Sequence, residues 1–239
     1  MTSVRNIRKP SSPRNQLLAA MSAGDLALLR PHLKPIDLPV FKDMEQPNHR
    51  IETVYFMEIG IASVVAIQPD NTKVEAGLIG REGMSGLAVV LGGDQSPNST
   101  YIQIAGEGQR IAAKELRKAM AASESLRGLL LKFAQVFMVQ TTQTAIANAR
   151  AHIDQRLARW ILMAHDRMGE DTIRLTHEFL ALMLGVRRAG VTVALQNLKR
   201  RKLIDSGRNQ ILVRDREGIE RLARGYYGVP EKGYHRLIG

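Results

Sequence analysis

The stretch Leu175–Ile204, LTHEFLALMLGVRRAGVTVALQNLKRRKLI, places two apolar stripes around a glycine, two arginines directly behind it and a basic run at its end. Thr176 offers the hydroxyl an N-cap needs, and Glu178 suits the positive end of a helix dipole, so HEFLALML is predicted helical with Leu180, Met183 and Leu184 inward. Gly185 fits the left-handed conformation of a sharp turn, and Val186 plugs the angle behind it. A second helix is predicted from about Arg187. Val191, Ala194, Leu195 and Leu198 fall on one side of it, and Arg188, Ala189, Thr192, Val193, Gln196 and Lys199 on the other. Ala181 sits where the two helices cross and only a small side chain permits close approach. The spacing Ala181, Gly185, Val186, Val191 is that of a helix-turn-helix. Generic helical hairpins match it loosely, but the two arginines opening the second helix favour a DNA reader over a purely structural hairpin.

Behind KRRK, the run LIDSGRNQILVRD reads as two short strands around SGRN, a hairpin with Gly207 in the turn. In that position it is a wing. Arg208 at its tip is placed to meet a phosphate, although a tip arginine is as often merely solvated. Asp215 suits the cap of a last helix, REGIERLAR, and the tail GYYGVPEKGYHRLIG is expected to fold back through Tyr226, Tyr227 or Leu237. Charge follows the same division. Residues 1–149 hold 16 Lys+Arg against 13 Asp+Glu, a net of +3, while residues 150–239 hold 18 against 10, a net of +8. The shorter segment carries most of the excess, which suits a polyanionic partner or, on charge alone, an equally plain solubilising surface.

Upstream, AHIDQRLARWILMAHDRM is predicted helical, with Ile153, Leu157, Trp160, Ile161 and Ala164 on its inner face and Trp160 in the core; GEDT ends it. Between Leu126 and Ala147 the residues Leu126, Leu130, Phe133, Phe137, Gln140, Thr144 and Ala147 follow alternating steps of four and three, a heptad-like seam. Such a stripe packs either against its own domain or against its twin across a two-fold axis. From Pro35 to about Ile111 short β-rich runs recur: TVYFM, GIASVVAIQ, KVEAGLIG, TYIQIA and QRIAA. They are separated by turn chemistry and predict an antiparallel sandwich or barrel with soft strand boundaries. Residues 16–33 read as a helical pair punctuated by Gly24 and Pro31. The first fifteen residues, basic and polar, read as a flexible arm rather than a secretory signal.

Several classes drop out. With no cysteine there is no disulfide, zinc-thiolate site or cysteine-ligated cluster. His32, His49, His152, His165, His177 and His235 show no metal-ligand spacing, so no metal is expected. No apolar run reaches the roughly 18 residues of a membrane span, and no membrane partner is expected.

The β-rich segment, long helix and LTHEFLALMLGVRRAGVTVALQNLKRRKLI together resemble the cyclic-AMP receptor protein/Fnr (Crp/Fnr) superfamily of bacterial transcription regulators, over roughly residues 16–225. The resemblance implies an α+β fold: an antiparallel β-roll of the cyclic-nucleotide-binding, jelly-roll type over 16–120, a dimerisation helix over 121–149 and a winged helix-turn-helix over 150–239, after an arm at 1–15. It moves Leu126, Leu130, Phe133, Phe137, Gln140 and Thr144 to the dimer interface. It implies a DNA-facing set of Thr176, His177, Arg187, Arg188, Ala189, Gly190, Thr192, Val193, Gln196, Lys199 and Arg208. Arg188 inherits the leading base-reading position, whereas Ala189 and Val193 stand where the best-known members carry glutamate and a second arginine, so the operator should differ. The sensor motifs depart further: Leu87 replaces glutamate after Gly86, and SPNST replaces the arginine–serine pair that holds a cyclic phosphate. Cyclic-nucleotide binding and iron–sulfur sensing are therefore not expected, and no cofactor is implied. The expectation is a cytoplasmic homodimer on palindromic double-stranded DNA, not an enzyme, with an unidentified small-molecule effector and RNA polymerase as further candidate partners. An architectural DNA-binding protein and a cupin-like enzyme are the alternatives; the developed β domain counts against the first and the absence of suitably spaced ligands against the second.

Overall fold

The computed structural model describes residues 13–70, 72–207 and 209–239; residues 1–12 of the expected arm, and Arg208, lie outside the described residues. The chain opens with two short helices, α1 (Gln16–Ala19) and α2 (Ala23–Leu29), extended by a 3-10 turn over Arg30–His32. Gly24, expected to punctuate this pair, instead lies in the first turn of α2. Ser22 Oγ accepts from the Asp25 N–H there (3.1 Å), so a side-chain cap outweighs the glycine's weak helix propensity. Asn15 is fully buried, and its amide donates to the carbonyls of Met57 (2.7 Å) and Gly83 (2.8 Å), which fastens this entry to the sheet.

Five antiparallel strands follow: β1 (Lys34–Leu38), β2 (Asp43–Glu45), β3 (Thr53–Ile67), β4 (Lys73–Ile79) and, after the short helix α3 (Leu87–Val90), β5 (Ser99–Ala112). They are ordered β1-β5-β3-β4, with β2 also paired to β5. TVYFM and GIASVVAIQ are one strand, β3, and TYIQIA and QRIAA are one strand, β5. Register shifts at Met57/Ile59 and Ile59/Ile61, with Gly60 at φ +91°, bend β3 while keeping it paired to β5. The imperfect alternation in the sequence is the trace of these bulges, which add a residue and turn the strand without ending it.

Helix α4 (Ala113–Ala122) leads into α5 (Glu124–Arg150), which Ser123 caps. The heptad seam is its inward face. Leu126, Leu130, Phe133, Phe137, Gln140 and Ala147 are all buried within this chain, and Thr144 is half-buried and accepts from Arg159 Nη2 (3.2 Å). The placing of this seam at a dimer interface is thus corrected. A heptad repeat reports a stripe, not which body covers it, and here the body is the β-roll. Phe137 lies so close to Gly77 that a methyl group there would meet its ring at 2.9 Å. Gln140, 4% exposed, spans β4: its Oε1 accepts from Leu78 N–H (2.8 Å) and its Nε2 donates to Leu78 C=O (3.1 Å). The opposite face, Leu131, Gln135, Met138, Thr142 and Ala145, is exposed at the same spacing.

The rest of the chain comprises α6 (Ile153–Met168), β6 (Thr172–Arg174), α7 (His177–Leu184), α8 (Arg188–Arg200), β7 (Ile204–Gly207), β8 (Gln210–Val213), α9 (Arg216–Leu222) and α10 (Val229–Leu237). Asp215 caps α9 through the Gly218 N–H (2.8 Å), as expected, and the tail does fold back, as the helix α10 against α5. No helix among the described residues is long and apolar enough to cross a membrane.

Replacing Gln140 by alanine strands both polar groups of Leu78 in a dry contact. Urea unfolding should show a loss of about 1–3 kcal/mol, whereas Gln140→Glu, which retains an acceptor but no amide donor, should not restore the wild-type value.

Candidate nucleic-acid interface

The turn between α7 and α8 has the geometry its residues dictate. Thr176 caps α7, with its Oγ1 accepting from Phe179 N–H (3.2 Å). Gly185 adopts φ +58°, ψ +42°, and the Val186 N–H returns to Ala181 C=O (3.0 Å) while Gly185 N–H reaches Leu182 C=O (3.2 Å). This satisfies the last carbonyls of α7 and sets the angle of the next helix. The Arg156 guanidinium, from α6, donates to Leu184 C=O at the same turn. That contact joins residues far apart in the chain, and no local spacing signals it.

Val191, Ala194, Leu195 and Leu198 are buried against α6 and α7. At about 1.5–3 kcal/mol for each large apolar side chain, this burial is what fixes α8 in place. The opposite side is left bare. Arg187 is the N-cap residue, one position before the expected start, and Arg187, Arg188, Ala189, Val193, Gln196 and Lys199 are exposed, with Val193 at 54%. Gly190 and Thr192 are half-buried, and Thr192 Oγ1 donates to Arg188 C=O (3.2 Å) with His177 Nδ1 at 3.5 Å. Arg188 is not idle: its Nη1 lies 3.0 Å from Glu178 Oε1. Lys199, Arg200, Arg201 and Lys202 form an exposed basic run at the helix end.

The wing is a three-stranded sheet ordered β6-β8-β7. Gly207 is paired with Gln210 as the end of β7 rather than lying in the turn, as expected, and Asn209 supplies the left-handed residue at φ +58°. Asparagine tolerates that conformation, so the turn does not need the glycine. The role assigned to Arg208 falls on a residue outside the described ones.

Residues 155–222 match the Crp-like helix-turn-helix domain. The C-terminal unit is a Crp-like helix-turn-helix domain. Among solved structures, FixK2 from Bradyrhizobium japonicum superposes with a TM-score of 0.68 at 16% identity, covering 80% of this chain and 96% of its own. A Crp-family transcriptional regulator from Thermus thermophilus gives 0.64 at 19% identity, covering 80% and 96%. The c-di-GMP-responsive global regulator CLP of Xanthomonas campestris gives 0.62 at 18%, covering 80% and 99%. The whole chain therefore has the Crp/Fnr fold. No curated protein sequence matches it.

In this Crp/Fnr chain the helix-turn-helix leans on the roll. Phe41, at φ +67° in the β1–β2 loop and 68% exposed, stacks on Phe179 of α7 with ring centroids 5.3 Å apart. Between them and α6 lies Glu75 of β4, fully buried, which accepts from Ser63 Oγ (2.7 Å) and Trp160 Nε1 (3.1 Å), with Met183 Sδ of α7 3.4 Å from the same hydroxyl. Trp160 is thus in the core, as expected, but its ring nitrogen also ties two domains. Burial pushes the Glu75 carboxyl up to about 8, against the pull of Ser63, Trp160, Arg159 and Arg167.

The roll's own cleft is small. It encloses about 90 Å³ and is lined by Glu45, Gly86, Leu87, Ser96, Asn98 and Thr100, whereas small-molecule pockets usually enclose about 300–1,000 Å³. Glu45 Oε1 accepts from Gly86 N–H (2.7 Å), so a carboxyl occupies the place where an anionic phosphate would need a cation. These residues do not fit a cyclic nucleotide.

The raised Glu75 pKa sets a pH dependence. The unfolded carboxyl releases its proton near 4.5 and the folded one near 8, so stability is greatest below the first value and declines until the second. Glu75→Gln keeps an acceptor for Trp160 and should flatten the decline; urea midpoints measured across that range check it, and an unchanged slope would count against the buried proton.

Proposed function

We propose that this chain is a homodimeric, sequence-specific regulator of transcription that reads a palindromic operator by placing α8 in the major groove of each half-site. The observation that carries the reading is the bare outer face of α8, opened by Arg187 and Arg188 and followed by the basic run 199–202, on a domain matched to the Crp-like helix-turn-helix. The fold supports the same reading, with regulation rather than catalysis as its outcome and a cytoplasmic site of action. Contact with RNA polymerase is part of the proposal.

Arg188 is the leading base reader. Its pair with Glu178 is solvent-exposed on both sides, and such a pair is worth about 0–1 kcal/mol. A bidentate grip on guanine O6 and N7 is worth about 1–3 kcal/mol of discrimination. Exchange of Glu178 for a guanine is therefore favourable. Ala189 and Val193 offer apolar surface for thymine methyls where charged readers are absent, while Thr176, His177, Gly190, Thr192 and Gln196 flank them on the same face. Lys199 and its basic neighbours, with Arg208 at the wing tip, take phosphates.

Dimerisation falls to the outer stripe of α5. Leu131 (41% exposed), Gln135, Met138 (60%), Thr142 and Ala145 repeat at heptad spacing, with Ile146 beside them (41%). A two-fold pairing of this stripe sets the two recognition helices about 34–36 Å apart, one turn of DNA.

Selection from a random duplex pool should return a palindromic motif; recovery of unrelated sequences would contradict the reading. On that motif, Arg188→Ala should remove preference at one base position per half-site, while Lys199→Ala should weaken all sequences alike and reduce the salt slope by about 1. Met138→Asp should yield a monomer in sedimentation and lose operator affinity, with the unfolding of the roll unchanged.

A further inference from the structure

A second and larger cavity, of about 500 Å³, lies away from the roll's cleft. It opens where the β4–α3 connection, α5, α6, α9 and α10 converge. Helix α10 falls wholly beyond the matched residues 155–222 and contributes Pro230, Glu231, Tyr234 and His235 to one wall. One side of the cavity is apolar, formed by Phe133, Val136, Phe137 and Pro230.

Most of its polar groups are already engaged. Asp166 accepts from Tyr227 Oη (2.7 Å) and Arg216 Nη2 (2.8 Å). His165 lies between Arg216 Nη1 (2.8 Å) and Asp171 Oδ1 (3.0 Å), and Arg167 Nε lies 2.9 Å from Glu82 Oε1. Three polar atoms are left shielded from solvent without a hydrogen-bond partner: Arg81 Nε, Glu82 Oε2 and Tyr234 Oη. All three belong to residues lining this cavity. Burial and the charge of Glu82 push the Tyr234 phenol up, so its hydroxyl keeps its proton and remains a donor. Buried polar groups are almost always satisfied, and orphans clustered on one cavity point to a missing partner.

We propose that this cavity is an effector site for a small amphiphile whose polar head carries both an acceptor and a donor on an apolar body, the chemistry of an aromatic amino acid. Its carboxylate takes Arg81 Nε and Tyr234 Oη, its ammonium meets Glu82 Oε2, and its ring lies on Phe133, Val136 and Phe137. Such a ligand joins the roll (Arg81, Glu82), the dimerisation helix and the helix-turn-helix domain (Asp166, Arg216) through α10. It therefore enters at the junction that sets where α8 stands. The site itself rests on the cavity and its orphan groups; its regulatory consequence rests on the DNA-binding reading above.

The test is thermal unfolding of the full chain with L-tryptophan, L-phenylalanine, phenylacetate (acceptor only), phenethylamine (donor only) and cyclic AMP. One of the amino acids should raise the Tm, and each single-ended probe should raise it less at equal concentration. Tyr234→Phe should weaken the binding roughly two- to tenfold, the worth of one hydrogen bond. Val136→Phe, which fills the cavity, should abolish the response, and Glu45→Gln in the roll's cleft should leave it intact. No shift with either amino acid, or an equal shift in both cavity variants, overturns the site. Operator affinity with and without the active probe separates the two claims. A Tm shift with unaltered DNA affinity overturns the regulatory role alone, and a chain that binds ligand but no DNA contradicts the DNA-binding reading instead.

Discussion

Everything in this fold depends on α5 meeting the roll along one face only. Gln140 occupies both polar groups of Leu78 in β4, and Phe133 and Phe137 press into the sheet above it. Arg159 of α6 then donates to Gln140 C=O (3.4 Å) and Thr144 Oγ1 (3.2 Å), and to Tyr226 C=O (2.9 Å), so the helix that carries the C-terminal domain is pinned to the same place. Because the inward stripe is saturated, Leu131 and Met138 are left outside. A helix buried on both faces would have no surface for a twin, and one docked by its other face would tear Leu78 from its partner.

The wall that α5 holds is also the wall on which the helix-turn-helix leans. Glu75 of β4 takes hydrogen bonds from β3 through Ser63 and from α6 through Trp160, while Phe41 stacks on Phe179 of α7. Breaking either contact frees α7, and with it α8, whose only fixed face is its apolar side. The DNA-facing side of α8 is thus bare by construction. Its placement, rather than its chemistry, is what a signal has to control.

Much of this was legible in the sequence because it is local. The spacing of Ala181, Gly185, Val186 and Val191 determines the turn, since a left-handed residue and a close helix crossing each admit few side chains. The same reasoning found the caps at Thr176 and Asp215. It failed where geometry is non-local. The 126–147 seam was visible as a stripe, but its partner was not, because a heptad does not name the surface it packs on. Bulges hid two long strands as four short ones, and Asn209 took the turn position that Gly207 was expected to hold. Glu178 as the partner of Arg188, Arg156 at the turn and Glu75 at the domain junction carry no spacing signal at all: each is defined by what the fold brings to it.

The central claim is that α8 reads bases in the major groove from two subunits at once. Methylation interference on a bound operator tests this most directly, because methyl groups at guanine N7 obstruct the major groove alone. The account predicts interference in two tracts related by a dyad and separated by one helical turn, with one guanine in each tract losing its effect when Arg188 is replaced by alanine. Interference without that periodicity, or none at N7 while phosphate ethylation still blocks binding, would contradict it.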